Sequence, residues 1–230
     1  MQTIVLLHGA VGAASQLQPL ADELSSDHIV HHFNLKGHGG EPIPDEPFSI
    51  EMFAEQVLDY FDRHQLQSPV VFGYSLGGYV GMYIARHYPE RISRLITLAT
   101  KFIWDREIAS REVKNFDAAK IEEKVPAFAA QLSALHAPGN WKDTLGKVSD
   151  LLTSLGNRNM ISEEDYPQIQ TPVMLMVGDR DRMVSMEETI RVYRALPAAS
   201  AALCILPGTP HPIGQTDIVQ LAWQIRAVKK

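Results

Sequence analysis

The segment Gly73-Tyr74-Ser75-Leu76-Gly77 is where this sequence first offers chemistry. A serine with glycine two residues to either side can stand out on a sharp strand-to-helix turn, its hydroxyl free to attack a substrate. The turn brings backbones close together, so it needs small neighbours, which Gly73, Gly77 and Gly78 supply. A helix starting there also points its N-terminus at the reacting oxygen and favours developing negative charge. The competing reading is an ordinary glycine-rich turn with an inert serine. The apolar run before Ser75 and the amphipathic pattern after it favour the reactive one.

A nucleophilic serine needs a base, and the base needs an orienting acid. Nine histidines compete for the first role. His8, His28, His31, His32 and His38 lie in or beside the first two predicted strands. His64 and His87 end helices, where the helix dipole favours a cationic ring. His136 sits in a long insertion. His211 follows the last predicted strand, in a loop stiffened by Pro207, Pro210 and Pro212. Loops at the carboxyl ends of parallel strands share one edge of the sheet, so Ser75 and His211 are expected to emerge together. The acid should leave the same edge, and Gly178-Asp179-Arg180-Asp181 offers two carboxylates. Asp181, further along the loop, is the preferred partner; Asp179 remains the alternative. The order Ser, Asp, His suits either.

Such chemistry also needs two backbone donors for an oxyanion. The N–H of Leu76 follows the nucleophile directly, and the small residues of His8-Gly9-Ala10-Val11-Gly12 make Ala10 the second donor. A phosphate cradle is the rival reading of that segment, but it has neither the Walker lysine nor a G-x-G-x-x-G pattern. The turn Gly37-His38-Gly39-Gly40 reads as structural.

The elements that must position these groups follow from periodicity. Six apolar runs read as strands covered on both faces: Thr3–Gly9, His28–Leu35, Pro69–Ser75, Ile92–Thr100, Pro172–Asp179 and Ala201–Gly208. Between them lie helical stripes: Leu17, Leu20, Ala21 and Leu24 behind a Ser15 cap; Ile50, Phe53, Ala54, Val57 and Phe61 behind Ser49. Val80, Tyr83, Ile84 and His87 form a third, stopped by Pro89. A fourth opens at a Ser185-x-x-Glu188 capping box, and Ile218, Leu221, Ala222 and Ile225 make the last. Alternating strands and helices mean an α/β fold with a mostly parallel sheet of about six strands flanked by helices. Residues 101–167 break the rhythm. Their apolar residues fall at helical spacing, Pro138-Gly139 marks a turn, and mixed charges suit a solvated outer face. The expected organisation is a catalytic core of 1–100 and 168–230 with a helical cap, 101–167, spliced into it.

Composition narrows the function. The chain has 230 residues, 45% of them hydrophobic, and a net charge of −6. That balance argues against a nucleic-acid surface. A single cysteine, Cys204, excludes an internal disulfide and cysteine-based zinc sites. The run Ile4–Leu7 lacks a basic stretch ahead of it and is interrupted by His8-Gly9, so it reads as a strand rather than a leader. No apolar stretch approaches the roughly 18 residues of a membrane span. The expectation is a cytoplasmic monomer or homodimer acting on a small molecule, without metal or organic cofactor, nucleic acid or membrane.

His8-Gly9, Gly73–Gly78, Gly178–Asp181 and Pro207–Pro212 together resemble the α/β-hydrolase superfamily over nearly the whole chain, with the insertion in the place of the variable helical cap. The resemblance favours Asp181 over Asp179, because the family's acid usually ends a G-x-x-D segment. It also implies Ala10 and Leu76 as the oxyanion pair. Two departures from the family are expected: no antiparallel hairpin ahead of the first strand, where many members have one, and Asn34 where many have the aspartate of a D-x-x-G-x-G turn. The expected activity is hydrolysis of carboxylic esters of small to medium apolar molecules through an acyl-enzyme. Thioester or carbon–carbon hydrolysis, a menaquinone-pathway-like lyase step, or a low-turnover ligand-binding receptor are the alternatives. Tyr74, Phe102, Trp104 and Trp141 are expected to line the substrate pocket, and Lys101, Arg106 and Arg111 would be the residues to hold an anionic substrate.

Overall fold

The structure, a computed structural model, describes residues 1–227. In chain order its elements are β1 (Gln2–Leu7), α1 (Gln18–Leu24), β2 (His28–His32), α2 (Ile50–Arg63), β3 (Val70–Tyr74), α3 (Leu76–His87) and β4 (Arg94–Leu98). Four helices follow: α4 (Arg106–Val113), α5 (Ala118–Lys124), α6 (Pro126–His136) and α7 (Trp141–Asn157). The chain closes with β5 (Val173–Gly178), α8 (Met186–Ala195), β6 (Ala201–Leu206) and α9 (Ile218–Ala227). All six strands pair in parallel, in the order β2-β1-β3-β4-β5-β6. No described helix is long and apolar enough to cross a membrane.

Strand alternation divides the core into two layers. Ile4 and Leu6 of β1 join Phe72, Ile96 and Leu221 on one face, where α1 packs on α9. Val5 and Leu7 join Phe53, Val57, Val80 and Val192 on the other, beneath α2, α3 and α8. Both faces of the central strands are covered, so β1, β3, β4 and β5 are largely apolar and buried. The edge strands β2, whose sequence is HIVHH, and β6 are only partly buried. Strand order reverses at β1, whose neighbours β2 and β3 continue the chain in opposite directions across the sheet. The crevice beyond the carboxyl ends of β1 and β3 is therefore the natural ligand site.

Two helix starts differ from the expectation. Ser15 does not cap α1: it lies in a short 3-10 turn, Ala14–Leu17, where the Gln16 side chain accepts from the Ala13 N–H at 3.1 Å. The helix begins at Gln18, with its proline in the first turn. Ser185 caps α8 by accepting from the Glu188 N–H at 3.1 Å, but the Glu188 carboxylate does not return to close the box. It accepts instead from the Phe102 and Ile103 N–H groups at 2.7 and 2.9 Å and pairs with Lys101 at 3.2 Å. Ser49 caps α2 as expected, accepting from Met52 at 3.1 Å.

The four helices between β4 and β5 are held to the rest of the molecule by polar ties. Thr144 of α7 donates to the Gly37 carbonyl at 2.7 Å, and the Lys147 ammonium bonds the carbonyls of Pro44, Asp45 and Glu46. The departure at Asn34 has a local reason. Its side chain accepts from the Ala14 N–H at 2.8 Å and donates to the Gly39 carbonyl at 3.0 Å, and a carboxylate could do only the first.

Candidate active site

Ser75 sits between β3 and α3 with φ +50° and ψ −114°, a conformation that costs a non-glycine residue about 1–3 kcal/mol. The surroundings hold it there. Its N–H donates to the Leu98 carbonyl at 2.9 Å, and its own carbonyl accepts from Gly78, Tyr79 and the Thr100 hydroxyl. A Cβ on Gly73 would strike the Gly77 backbone, one on Gly77 the Leu7 carbonyl, and one on Gly78 the Thr100 hydroxyl. At Gly73 and Gly77 backbones touch, and at Gly78 the Thr100 side chain fills the space, so none of the three can carry a Cβ.

The loop after β6 carries His211. Its Nδ1 lies 2.8 Å from Asp181 Oδ2, and the Asp181 side chain is fully buried. The other carboxylate oxygen accepts from the Met183 and Val184 N–H groups, both at 2.8 Å. Because Oδ2 can only accept, Nδ1 must carry its proton, which leaves Nε2 as the basic nitrogen. The Tyr74 hydroxyl donates to the His211 carbonyl at 3.1 Å and so fixes the loop as well as the cavity wall. Burial pushes its phenol up to about 12, so it stays a neutral donor. Asp179 is exposed and takes no part in this pair.

Ser75, His211, Ala10, Leu76, Tyr74 and Trp104 all line one cavity of about 780 Å³. Leu76 is the first residue of α3, whose N–H has no acceptor within the helix. No hydrogen bond among the described residues uses the N–H of Ala10 or Leu76. The pocket expectation needs correcting at two places. Phe102 is buried against Tyr79, with ring centroids 6.3 Å apart, and Trp141 packs in the core beneath α7; neither reaches the cavity. Both sit at helix or strand junctions where an aromatic seals packing, and sequence spacing cannot tell that from a pocket wall. Phe116 and Phe128 line the cavity instead. Arg106 and Arg111 are exposed and outside it.

Sequence reasoning missed two charged groups. Glu112 of α4 is buried and lines the cavity. Glu188 neutralises Lys101, the lining lysine, whose side chain is only 12% exposed. The Ser185-x-x-Glu188 pattern marked Glu188 for attention but assigned it a purely local task.

The alpha/beta hydrolase fold model matches residues 2–147, and the chain belongs to that family of hydrolases. It is 27% identical to a pimeloyl-[acyl-carrier protein] methyl ester esterase of Chromobacterium violaceum, over 90% of this chain and 86% of the relative. It is 24% identical to a putative 2-succinyl-6-hydroxy-2,4-cyclohexadiene-1-carboxylate synthase of Bacillus subtilis, over 92% and 84%. The fold is similar to that of a thermophilic esterase from Thermogutta terrifontis, with a TM-score of 0.79 at 20% identity over 98% of this chain and 88% of the other.

Proposed function

We propose that the protein hydrolyses carboxylic esters of small to medium apolar molecules, with Ser75 as nucleophile, His211 as base and Asp181 as orienting acid. The observation that carries this reading is the 2.8 Å bond between the buried Asp181 carboxylate and His211, which lines the same cavity as the strained Ser75. Ser75 Oγ attacks the ester carbonyl while His211 Nε2 takes its proton. The tetrahedral oxyanion is held by the N–H groups of Ala10 and Leu76. His211 then protonates the departing alcohol, and water resolves the acyl-enzyme by the same steps in reverse. Residues 101–167 act as the cap that closes the cavity over the acyl group.

The charges of the wall support a neutral substrate. Lys101 already has Glu188 as its partner and Glu112 has Arg111 at 3.7 Å, so a substrate carboxylate would meet no free lysine or arginine among the described lining residues. The test is a panel of p-nitrophenyl esters from acetyl to octanoyl, with monoesters of dicarboxylic acids and acyl thioesters alongside. Neutral esters should be the better substrates by kcat/KM. Ser75→Ala should lose at least 10³-fold in kcat, a drop of about 4 kcal/mol in transition-state stabilisation. A Ser75→Ala protein that keeps a tenth of the activity refutes the site, and preferred turnover of the dicarboxylate monoesters refutes the substrate class.

A further inference from the structure

Three histidines that the triad does not use lie together outside the cavity lining. His8 and His38 have ring centroids 5.3 Å apart, and His38 and His136 6.1 Å. His136 is the last residue of α6, in the inserted segment, and is 1% exposed. Its Nδ1 accepts from the Gly39 N–H at 3.2 Å, and its Nε2 lies 3.1 Å from the Val11 carbonyl. A backbone N–H can only donate and a carbonyl only accept. The ring is therefore neutral with its proton on Nε2, donated to Val11. Burial, which lowers the His136 pKa, agrees with that neutral state.

The Val11 carbonyl belongs to the same peptide as the Gly12 N–H, which donates to the Gly9 carbonyl at 3.1 Å. The Gly9 carbonyl in turn belongs to the peptide whose N–H is that of Ala10. Each peptide is planar, with its C=O and N–H pointing in opposite directions. The two bonds thus run in series: His136 Nε2–H to Val11 carbonyl, then Gly12 N–H to Gly9 carbonyl, whose peptide carries the N–H of Ala10, a residue of the cavity wall. Bonds in such a chain polarise one another, and the chain also fixes the orientation of the last donor. Val11 holds a φ of +53°, unfavourable for a β-branched residue, so the loop needs an external tie to stay in this shape. His8 adds a second tie to the Gly9 carbonyl, Nδ1 to oxygen at 2.8 Å, its own tautomer set by the Leu35 N–H at Nε2.

We infer that His136 is a positioning residue for the oxyanion donor Ala10, acting through the Val11–Gly12 and Gly9–Ala10 peptides, so that the inserted segment sets the strength of the oxyanion hole. This rests on the reading of Ser75 and Ala10 given above. It places a determinant of turnover on a helix that contributes no triad residue.

Two variants test it. Asparagine at 136 can meet the Gly39 N–H but is too short to reach the Val11 carbonyl; glutamine can reach it with its amide N–H. His136→Asn should lower kcat for a neutral p-nitrophenyl ester about tenfold, a part of the 10²–10³ lost when such a donor is removed outright. KM should stay within about twofold. Inhibition by a boronic acid, whose Ser75 adduct places an oxygen in the oxyanion hole, should weaken in parallel with kcat. His136→Gln should recover kcat to within about threefold of the parent. Equal kcat in the two variants, a change confined to KM, unchanged boronate affinity in His136→Asn, or a His136→Gln protein that fails to fold each overturns the inference. The failures are separable: an active Ser75→Ala protein sinks the parent reading, whereas an inactive Ser75→Ala beside a fully active His136→Asn sinks this one alone.

Discussion

Replacing Asp181 by asparagine tests the triad through its hydrogen bonds rather than its charge alone. In the parent, one carboxylate oxygen accepts two backbone N–H groups, from Met183 and Val184, and the other accepts from His211 Nδ1. An asparagine must place its carbonyl oxygen on the two backbone donors, which leaves its NH₂ facing His211. Nδ1 then has to accept, so the ring's proton moves to Nε2, the nitrogen that should take the proton of Ser75. Turning the amide over would restore the productive tautomer but set its NH₂ against both backbone donors, of which Val184 is buried, at about 1–3 kcal/mol. That alone is a loss of about 5-fold to 150-fold in rate. The imidazolium also loses its carboxylate, which brings the expected fall in kcat to about 10³–10⁴-fold, with KM little changed. The assay is steady-state hydrolysis of p-nitrophenyl butyrate, with a thermal melt to show that the variant is folded. A folded Asp181→Asn protein with kcat within tenfold of the parent would falsify the assignment of both Asp181 and His211.

The buried histidines make stability depend on pH. Burial lowers His8 to about 4 and His38 to about 3, while in the unfolded chain both take up protons near 6.5. Below 6.5 the unfolded state binds more protons, so their contribution is intact above that pH and is lost as pH falls toward 4 and then 3. At about 1.4 kcal/mol per pH unit, His8 alone accounts for a loss on the order of 3 kcal/mol. The melting temperature should fall steeply from pH 6.5 to 4 and less steeply in His38→Phe; a flat profile over that range counts against the neutral cluster. The two tryptophans expected in the pocket should separate cleanly. Trp104→Ala, in the cavity wall, should raise KM for longer acyl chains severalfold at nearly unchanged melting temperature. Trp141→Ala, in the core, should cost about 3–5 kcal/mol of stability without altering chain-length preference. The reverse pattern in denaturation and kinetics would show that the wall has been misplaced.

Much of this protein is set by local rules. The four central strands must be apolar on both faces because helices cover both, so the runs around Val5, Val71, Leu95 and Leu175 announce themselves, and so does the parallel α/β class. Gly73, Gly77 and Gly78 reveal the turn at Ser75 for an equally local reason, since no side chain fits there. The loop after the last strand singled out His211 by topology alone. Between Asp179 and Asp181 the residues leave a choice. Loop geometry turns Asp181 inward onto His211 and two N–H groups and leaves Asp179 exposed. What tertiary structure decided lies wherever partners are distant in sequence. Glu188 has the spacing of a capping box, yet its carboxylate is drawn to two unpaired N–H groups 85 and 86 residues away. Phe102 and Trp141 have the composition of pocket residues but seal the core, while Phe116 and Phe128 face the cavity. His136 reads from sequence only as a histidine of the inserted segment, and its bond to Val11 spans 125 residues. Periodicity records whether a side chain is buried, because burial repeats with the backbone. It carries no record of which distant hydrogen-bonding group shares that burial, and both the charge of this cavity and the support of its oxyanion loop depend on those groups.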